Sequence, residues 1–189
     1  MLQQNDNIAN PSVITLLEPD ECNSLVLFLE NENWESTLVG AGVSNSMIRR
    51  NFSLRVTDAN WWVKNLAPVV VEALTEVNRT YWGFDVTGPV EATVLRYREG
   101  DHYNTWHSDV GVGACSNRKI SFSIQLSEPE SYVGGDLVFD TSREKDHREV
   151  LRGQGRMVVF PSFLSHKVIP VSSGVRYCIV GWLKGPPFR

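Results

Sequence analysis

The chain has 189 residues, of which 42% are hydrophobic and 21% charged, and a net charge of −4. This composition excludes a disordered polyelectrolyte and the basic footprint of a nucleic-acid binder. The length suits a single domain that buries its own core without covalent staples. Three scattered cysteines, Cys22, Cys115 and Cys178, suit neither a disulfide framework nor a Cys-based metal site; they read as small buried residues of a cytoplasmic protein.

Residues 1–11 are polar and rich in Asn and Gln, without the basic start and apolar run of a secretory signal. No apolar run is long enough for a membrane-spanning helix. Residues 1–87 read as helical support and residues 88–189 as a β-rich body, with no linker or repeat between them. Glu18-Pro19-Asp20-Glu21 opens a helix, because proline suits the first turn and acids favour the N-terminus, and Leu25, Phe28 and Leu29 share a face. A second helix starts after Thr57-Asp58, either of which can cap it. It places Trp62, Leu66, Val69, Val70, Ala73 and Val77 at helical spacing, and Pro68 kinks or splits it.

Beyond Gly88-Pro89, runs rich in Val, Ile, Phe and Tyr predict strands over 90–97, 120–126, 136–139, 149–151, 157–160, 167–170 and 175–183. Short strands closed by turn residues predict an α+β, mainly β fold: a sandwich or jelly roll with the helices packed outside one sheet.

The chain has four histidines, His102, His107, His147 and His166. His107-Ser108-Asp109 puts an imidazole and a carboxylate at i and i+2, which an extended segment turns to one side. His166 lies close to the start of a later strand. Two His and one carboxylate leave about half of an octahedral metal's positions open, the facial-triad pattern of iron(II) oxygenases; a closed four-ligand zinc site offers no such room. Arg176, on the next strand, is either a surface residue paired with an acid or the bidentate partner of a carboxylate at the metal site. His102 and His147 lack ligand spacing: the first is placed at the entrance, the second in the charged loop 142–148. Arg98 and Arg118 read as exposed loop arginines, with an anionic substrate as the other reading. Residues 111–119 and 142–148 are candidate lids.

From Tyr97 to Trp182 the chain resembles the prolyl 4-hydroxylase-type branch of the iron(II)/2-oxoglutarate-dependent dioxygenases. The resemblance rests on Tyr97-Arg98-Glu99-Gly100-Asp101-His102-Tyr103, His107-Ser108-Asp109, Tyr132-Val133-Gly134-Gly135-Asp136-Leu137, Val159-Phe160-Pro161-Ser162, His166-Lys167-Val168-Ile169-Pro170-Val171 and Gly174-Val175-Arg176-Tyr177. It implies a double-stranded β-helix over 88–189, with Fe(II) on His107, Asp109 and His166 and the distal carboxylate of 2-oxoglutarate on Arg176. Tyr97 either faces the cosubstrate pocket or is a core tyrosine. Gln125 occupies a strand where relatives place a cosubstrate-binding Tyr, Trp182 either walls the pocket or packs in the core, and Gly134-Gly135 shape a turn. The implied activity is hydroxylation of an unactivated C–H bond with 2-oxoglutarate and O2, ascorbate being a candidate helper. The substrate is a prolyl residue in a peptide, a free amino acid or another small metabolite, without nucleic acid or membrane as partner; oligomeric state is not encoded in these motifs. The competing readings are a catalytically silent jelly-roll module that binds a ligand or protein, and a metal-dependent cupin of other chemistry.

Overall fold

The structure, a computed structural model, describes residues 10–37, 45–88, 90–140 and 151–188. In chain order it contains β1 (Ser12–Thr15), α1 (Pro19–Glu30), β2 (Glu35–Ser36), β3 (Phe52–Arg55), α2 (Ala67–Val77), β4 (Val90–Tyr97), β5 (Tyr103–His107), β6 (Arg118–Gln125), β7 (Tyr132–Gly134), β8 (Leu137–Phe139), β9 (Arg156–Pro161), β10 (His166–Val168), β11 (Val171–Gly174) and β12 (Arg176–Lys184). Seven strands form one sheet in the order β1-β9-β6-β12-β4-β3-β2, faced by the smaller sheets β5-β10-β8 and β11-β7. This is the mainly β, double-stranded architecture that the strand pattern predicts.

The large sheet is two-faced, and its alternation assigns every inner strand residue. Ala92, Val94, Ile120, Phe122, Ile124, Met157, Val159 and Ile179 face the helices, where they pack with Cys22, Leu29, Trp62, Leu66, Val70 and Leu74. The opposite face contributes Leu95, Tyr97, Val158, Phe160 and Cys178 to a second core shared with Leu137, Phe139, Val168 and Val171 of the small sheets. Strand β6 differs from its neighbours on that face: it presents Ser121, Ser123 and Gln125, all buried.

Glu18 caps α1 through a capping box with Glu21, and Pro19 sits in its first turn. The buried face of α1 runs through Cys22 and Leu29, while Phe28, expected inside, is exposed. The second helix splits at Pro68: a π-helical turn, Trp62–Leu66, precedes α2. Trp62, Leu66, Val70 and Leu74 therefore bury at a spacing of four, which passes over Val69 and takes in Leu74. Neither Thr57 nor Asp58 caps this helix. Thr57 Oγ1 bonds the Ala92 backbone and Asp58 approaches Arg55, so tertiary strand contacts took the hydroxyl.

Three strands fall within the stretch expected to be helical. β3 pairs with β4, β2 extends it, and β1 closes the far edge on β9. The expected strand at 167–170 is β10, which ends at Val168, and Ile169-Pro170 part it from β11. Of 149–151 only Leu151 is described, and it is helical. His147 and the loop 142–148 lie outside the described residues. Residues 113–115 form a 3-10 turn held by Ser116 Oγ on the Gly113 carbonyl. Among the described residues no helix is long and apolar enough to cross a membrane.

Gly181 makes the helix-side layer possible. A Cβ there would strike the Glu91 carbonyl and lie 2.5 Å from Phe122 Cζ, the ring that stacks parallel to Trp62 with centroids 6.5 Å apart. Gly181→Ala is expected to lower stability by about 1–3 kcal/mol, the cost of overpacking a filled core, read as a fall in the urea midpoint.

Candidate metal centre and cosubstrate pocket

β5 and β10 pair antiparallel with His107 directly opposite His166, so one backbone register sets the two imidazoles side by side, ring centroids 4.3 Å apart. Both rings are fixed by the same device. Nδ1 of His107 bonds the Thr105 carbonyl at 2.9 Å, and Nδ1 of His166 bonds the Leu164 carbonyl at 2.9 Å. A carbonyl only accepts, so each Nδ1 carries the proton and each Nε2 lone pair is left for a metal. Tyr103 stacks on His107 at 3.7 Å, and Phe160 meets His166 edge-on at 4.9 Å.

Asp109 follows β5 by two residues. Its backbone N–H donates to the Ser162 carbonyl at 2.8 Å, and its Oδ2 accepts from Ser121 Oγ at 2.7 Å, which also meets Ser162 Oγ at 2.9 Å. Oδ2 lies 3.7 Å from His166 Nε2, and one ligand atom from each of His107, Asp109 and His166 falls within 4.8 Å of the others. Burial alone would raise the Asp109 pKa, but His166 and the Ser121 hydroxyl outweigh it and hold the carboxyl below its ordinary value. Burial and the neighbouring His166 push His107 down to about 4. At neutral pH the set is therefore a carboxylate and a neutral His107 with its lone pair free, with no proton to displace from that ring on metal binding.

Arg176 begins β12 opposite Tyr97 of β4 and is only 2% exposed. Gln125 Oε1 accepts from its Nε at 3.0 Å and its Nη2 at 2.8 Å, and Gln125 Nε2 donates on to Ser123 Oγ at 3.0 Å. Nη1 is buried and forms no proper hydrogen bond among the described residues, although the Tyr132 hydroxyl lies toward the guanidinium. A buried, unpaired guanidinium nitrogen is costly, and the Arg176 side chain lines the same cavity as His107, Asp109 and His166. The donor set fits a divalent iron, and the orphaned nitrogen fits a carboxylate of a ligand chelating that iron.

Tyr97 lines this cavity, with the Arg176 guanidinium 5.4 Å over its ring, and burial pushes its phenol up to about 12. Trp182 also lines it, its indole N–H lying toward Asp109 without forming a proper hydrogen bond. Gln125 is not in the cavity lining: it stands behind Arg176 and acts on any cosubstrate only through that side chain. His102 pairs its backbone with Arg50 and does not reach the cavity. Arg98 is exposed, whereas Arg118 is half-buried, 3.6 Å over the Trp182 ring. Gly134 and Gly135 both have positive φ, and a Cβ on Gly135 would lie 3.3 Å from Arg176 Cδ, so this turn packs directly against the arginine.

Sequence reasoning missed Ser121, Ser162, Tyr103, Arg49 and Arg152. Arg152 clamps the same turn: it donates to the carbonyls of Pro129, Tyr132 and Gly134 and to Asp136 Oδ1. Only the run of alternate polar residues Ser121, Ser123 and Gln125 on an otherwise apolar strand was a readable signal.

The comparisons agree with this geometry. The family model of the 2OG-Fe(II) oxygenase superfamily matches residues 92–184. A PKHD-type hydroxylase of Thermosynechococcus vestitus is 30% identical over 175 residues, 89% of this chain and 75% of the relative. One of Synechococcus sp. is 29% identical over 155 residues, 82% of this chain and 68% of the relative. Among solved structures, a Pseudomonas putida prolyl-4-hydroxylase superposes with a TM-score of 0.74 at 19% identity, covering 96% of each chain. A Trichoplax adhaerens prolyl hydroxylase in complex with a hypoxia inducible factor peptide fragment gives 0.74 at 20% identity, covering 94% of this chain and 84% of that one; at such identities these two show the fold. The chain belongs to the 2OG-Fe(II) oxygenase superfamily, as a hydroxylase that uses iron(II), 2-oxoglutarate and dioxygen.

Two outcomes follow from the site. An unfolded chain takes up a proton on His107 below its ordinary pKa of 6.5, whereas the folded chain resists until about 4. The stability this ring contributes is present above pH 6.5 and is lost as pH falls towards 4. Urea midpoints of metal-free protein at pH 7 and pH 5 should differ more in the wild type than in His107→Gln. Gln125→Glu would neutralise Arg176 with a buried carboxylate, and is expected to weaken 2-oxoglutarate binding roughly tenfold or more, while metal affinity by calorimetric titration stays within about twofold.

Proposed function

We propose that His107, Asp109 and His166 hold Fe(II) and that Arg176 receives the distal carboxylate of 2-oxoglutarate, in an enzyme that hydroxylates an unactivated C–H bond of a free amino acid, another small molecule or an exposed peptide residue. The observation that supports this most is Arg176, a buried guanidinium with a nitrogen in no proper hydrogen bond, whose side chain lines the cavity that the three metal-ligand candidates share. A silent binding module has no use for a charge buried in that way, nor for two histidines locked in the same tautomer beside a carboxylate. The relatives' names place the chemistry among hydroxylases, and the peptide bound by the Trichoplax adhaerens structural neighbour supports a peptidyl residue among the substrates. The free state of all three cysteines suits a reducing cytoplasm.

Bound iron supplies oxidising power by coupling dioxygen reduction to decarboxylation of the 2-oxo acid. The chain's own contribution is orientation and exclusion of water. Thr105 and Leu164 aim the imidazoles, Ser121 and Ser162 aim the carboxylate, and Gln125 holds the Arg176 guanidinium through Nε and Nη2. Tyr97, Leu95, Phe160 and Val168 supply apolar walls, a low-polarity surrounding in which the guanidinium–carboxylate contact gains strength. Among the described residues three candidate ligands converge, a set that would leave positions on the metal for the cosubstrate and dioxygen.

Anaerobic protein mixed with Fe(II) and 2-oxoglutarate is expected to develop a weak visible charge-transfer band. Loss of that band in His107→Ala and Asp109→Ala, and its appearance in Arg176→Gln only at roughly tenfold or higher 2-oxoglutarate concentration, is the expected pattern. An intact, folded wild-type protein that forms no band would overturn the assignment.

A further inference from the structure

We infer that the cavity is built for a substrate that presents a carboxylate, and that Arg49 receives it; the inference rests on the oxygenase reading above. Arg49 is half-buried and lines the cavity together with His107, Asp109, His166 and Arg176. Its guanidinium carbon lies 4.9 Å from the centroid of the Tyr103 ring, and that ring stacks on His107, so the cation stands one aromatic ring away from the metal ligands.

The adjacent arginines contrast. Arg50 is neutralised by the buried Asp101 at 3.1 Å. The Arg49 side chain makes one hydrogen bond, from Nε to the neutral Asn51 Oδ1 at 3.2 Å, and no described carboxylate pairs with it. The preceding residues 38–44, Leu-Val-Gly-Ala-Gly-Val-Ser, contain no acid.

Charge bookkeeping then selects the ligand class. A divalent metal, Asp109, Arg176 and a 2-oxoglutarate dianion sum to zero. Arg49 leaves a positive charge over, and Arg118, held beside the Asp109 carbonyl at 3.4 Å without an acidic partner among the described residues, adds to the same field. In a cleft with apolar walls such a field is focused and poorly screened. The cosubstrate would not need Arg49: its distal carboxylate would take the more deeply buried Arg176, and its proximal one the metal. A neutral residue within a peptide leaves Arg49 unpaired, whereas a carboxylate near the reacting carbon satisfies the guanidinium with paired hydrogen bonds.

The test uses zinc-loaded full-length protein saturated with 2-oxoglutarate, a form that binds without turning over. It is titrated calorimetrically with the free L-amino acids, with their carboxamides, with an uncharged prolyl peptide blocked at both ends, and with the same peptide bearing a free C-terminal carboxylate. A free acid or the free-ended peptide is expected to bind, with its amide roughly tenfold to hundredfold weaker, the range for a lost charged hydrogen bond. Arg49→Gln should remove that preference and Arg49→Lys should retain part of it, with the 2-oxoglutarate dissociation constant unchanged within about twofold. Which of the two carboxylates binds separates a small-acid substrate from a peptide end. The inference is overturned if the blocked peptide binds as well as the acids, if no carboxylate binds while 2-oxoglutarate does, or if Arg49→Gln weakens 2-oxoglutarate itself. Failure of 2-oxoglutarate to bind overturns the oxygenase reading instead.

Discussion

The site depends on a period-two constraint imposed on one sheet by having to serve two environments. β4, β6, β9 and β12 turn alternate residues to the helices and to the cavity, and both faces are filled. A slip of one residue in any of these strands would send its helix-side residues to the metal and its site residues into hydrocarbon packing. The register of β12 shows how tightly this is specified. It sets Arg176 against Tyr97 on one neighbour and Cys178 against Gln125 on the other. Arg176 is thus flanked by the ring and the amide that define its pocket before any side-chain rotamer is chosen.

Polar groups in that cavity are supported in series. Ser162 supports Ser121, Ser121 supports Asp109, Ser123 supports Gln125, and Gln125 supports Arg176. Each buried donor or acceptor in these chains is satisfied by the next, and one chain ends at Arg176, whose Nη1 is in no proper hydrogen bond and whose side chain lines the cavity. Buried polar networks are tolerated when complete and expensive when one member is missing. A carboxylate has the geometry and charge to pair with a buried guanidinium nitrogen of this kind.

The helical layer contributes stiffness and no chemistry. Trp62, Leu66, Val70 and Leu74 seal the far side of the sheet, and Gly181 lets Phe122 approach closely enough to stack beneath Trp62. Because that layer holds the strands from behind, the cavity side can present Ser121, Ser123 and Gln125 where apolar residues would otherwise be needed for cohesion. The smaller sheets supply the rest: β5 and β10 carry the imidazoles, and the turn between β7 and β8, pinned by Arg152, presses Gly135 against Arg176.

The sequence by itself determined the residues that lie close in the chain or repeat with a fixed period. His107 and Asp109 are two apart on an extended segment, β4, β9 and β12 are short apolar runs ended by turn residues, and Pro68 divides the second helix for a local reason. It did not determine what requires contacts between distant segments. β1, β2 and β3 are too short to carry a periodic signal and exist because β9 and β4 offer edges to pair with. Thr57 looked like a helix cap and became a partner of Ala92. Gln125 looked like a cosubstrate ligand and became the support of Arg176, and Arg49 gave no signal at all. Tertiary structure decided these because a hydrogen bond or a charge is claimed by whichever partner folding brings within about 3 Å, and the partners here lie on strands far apart in the chain.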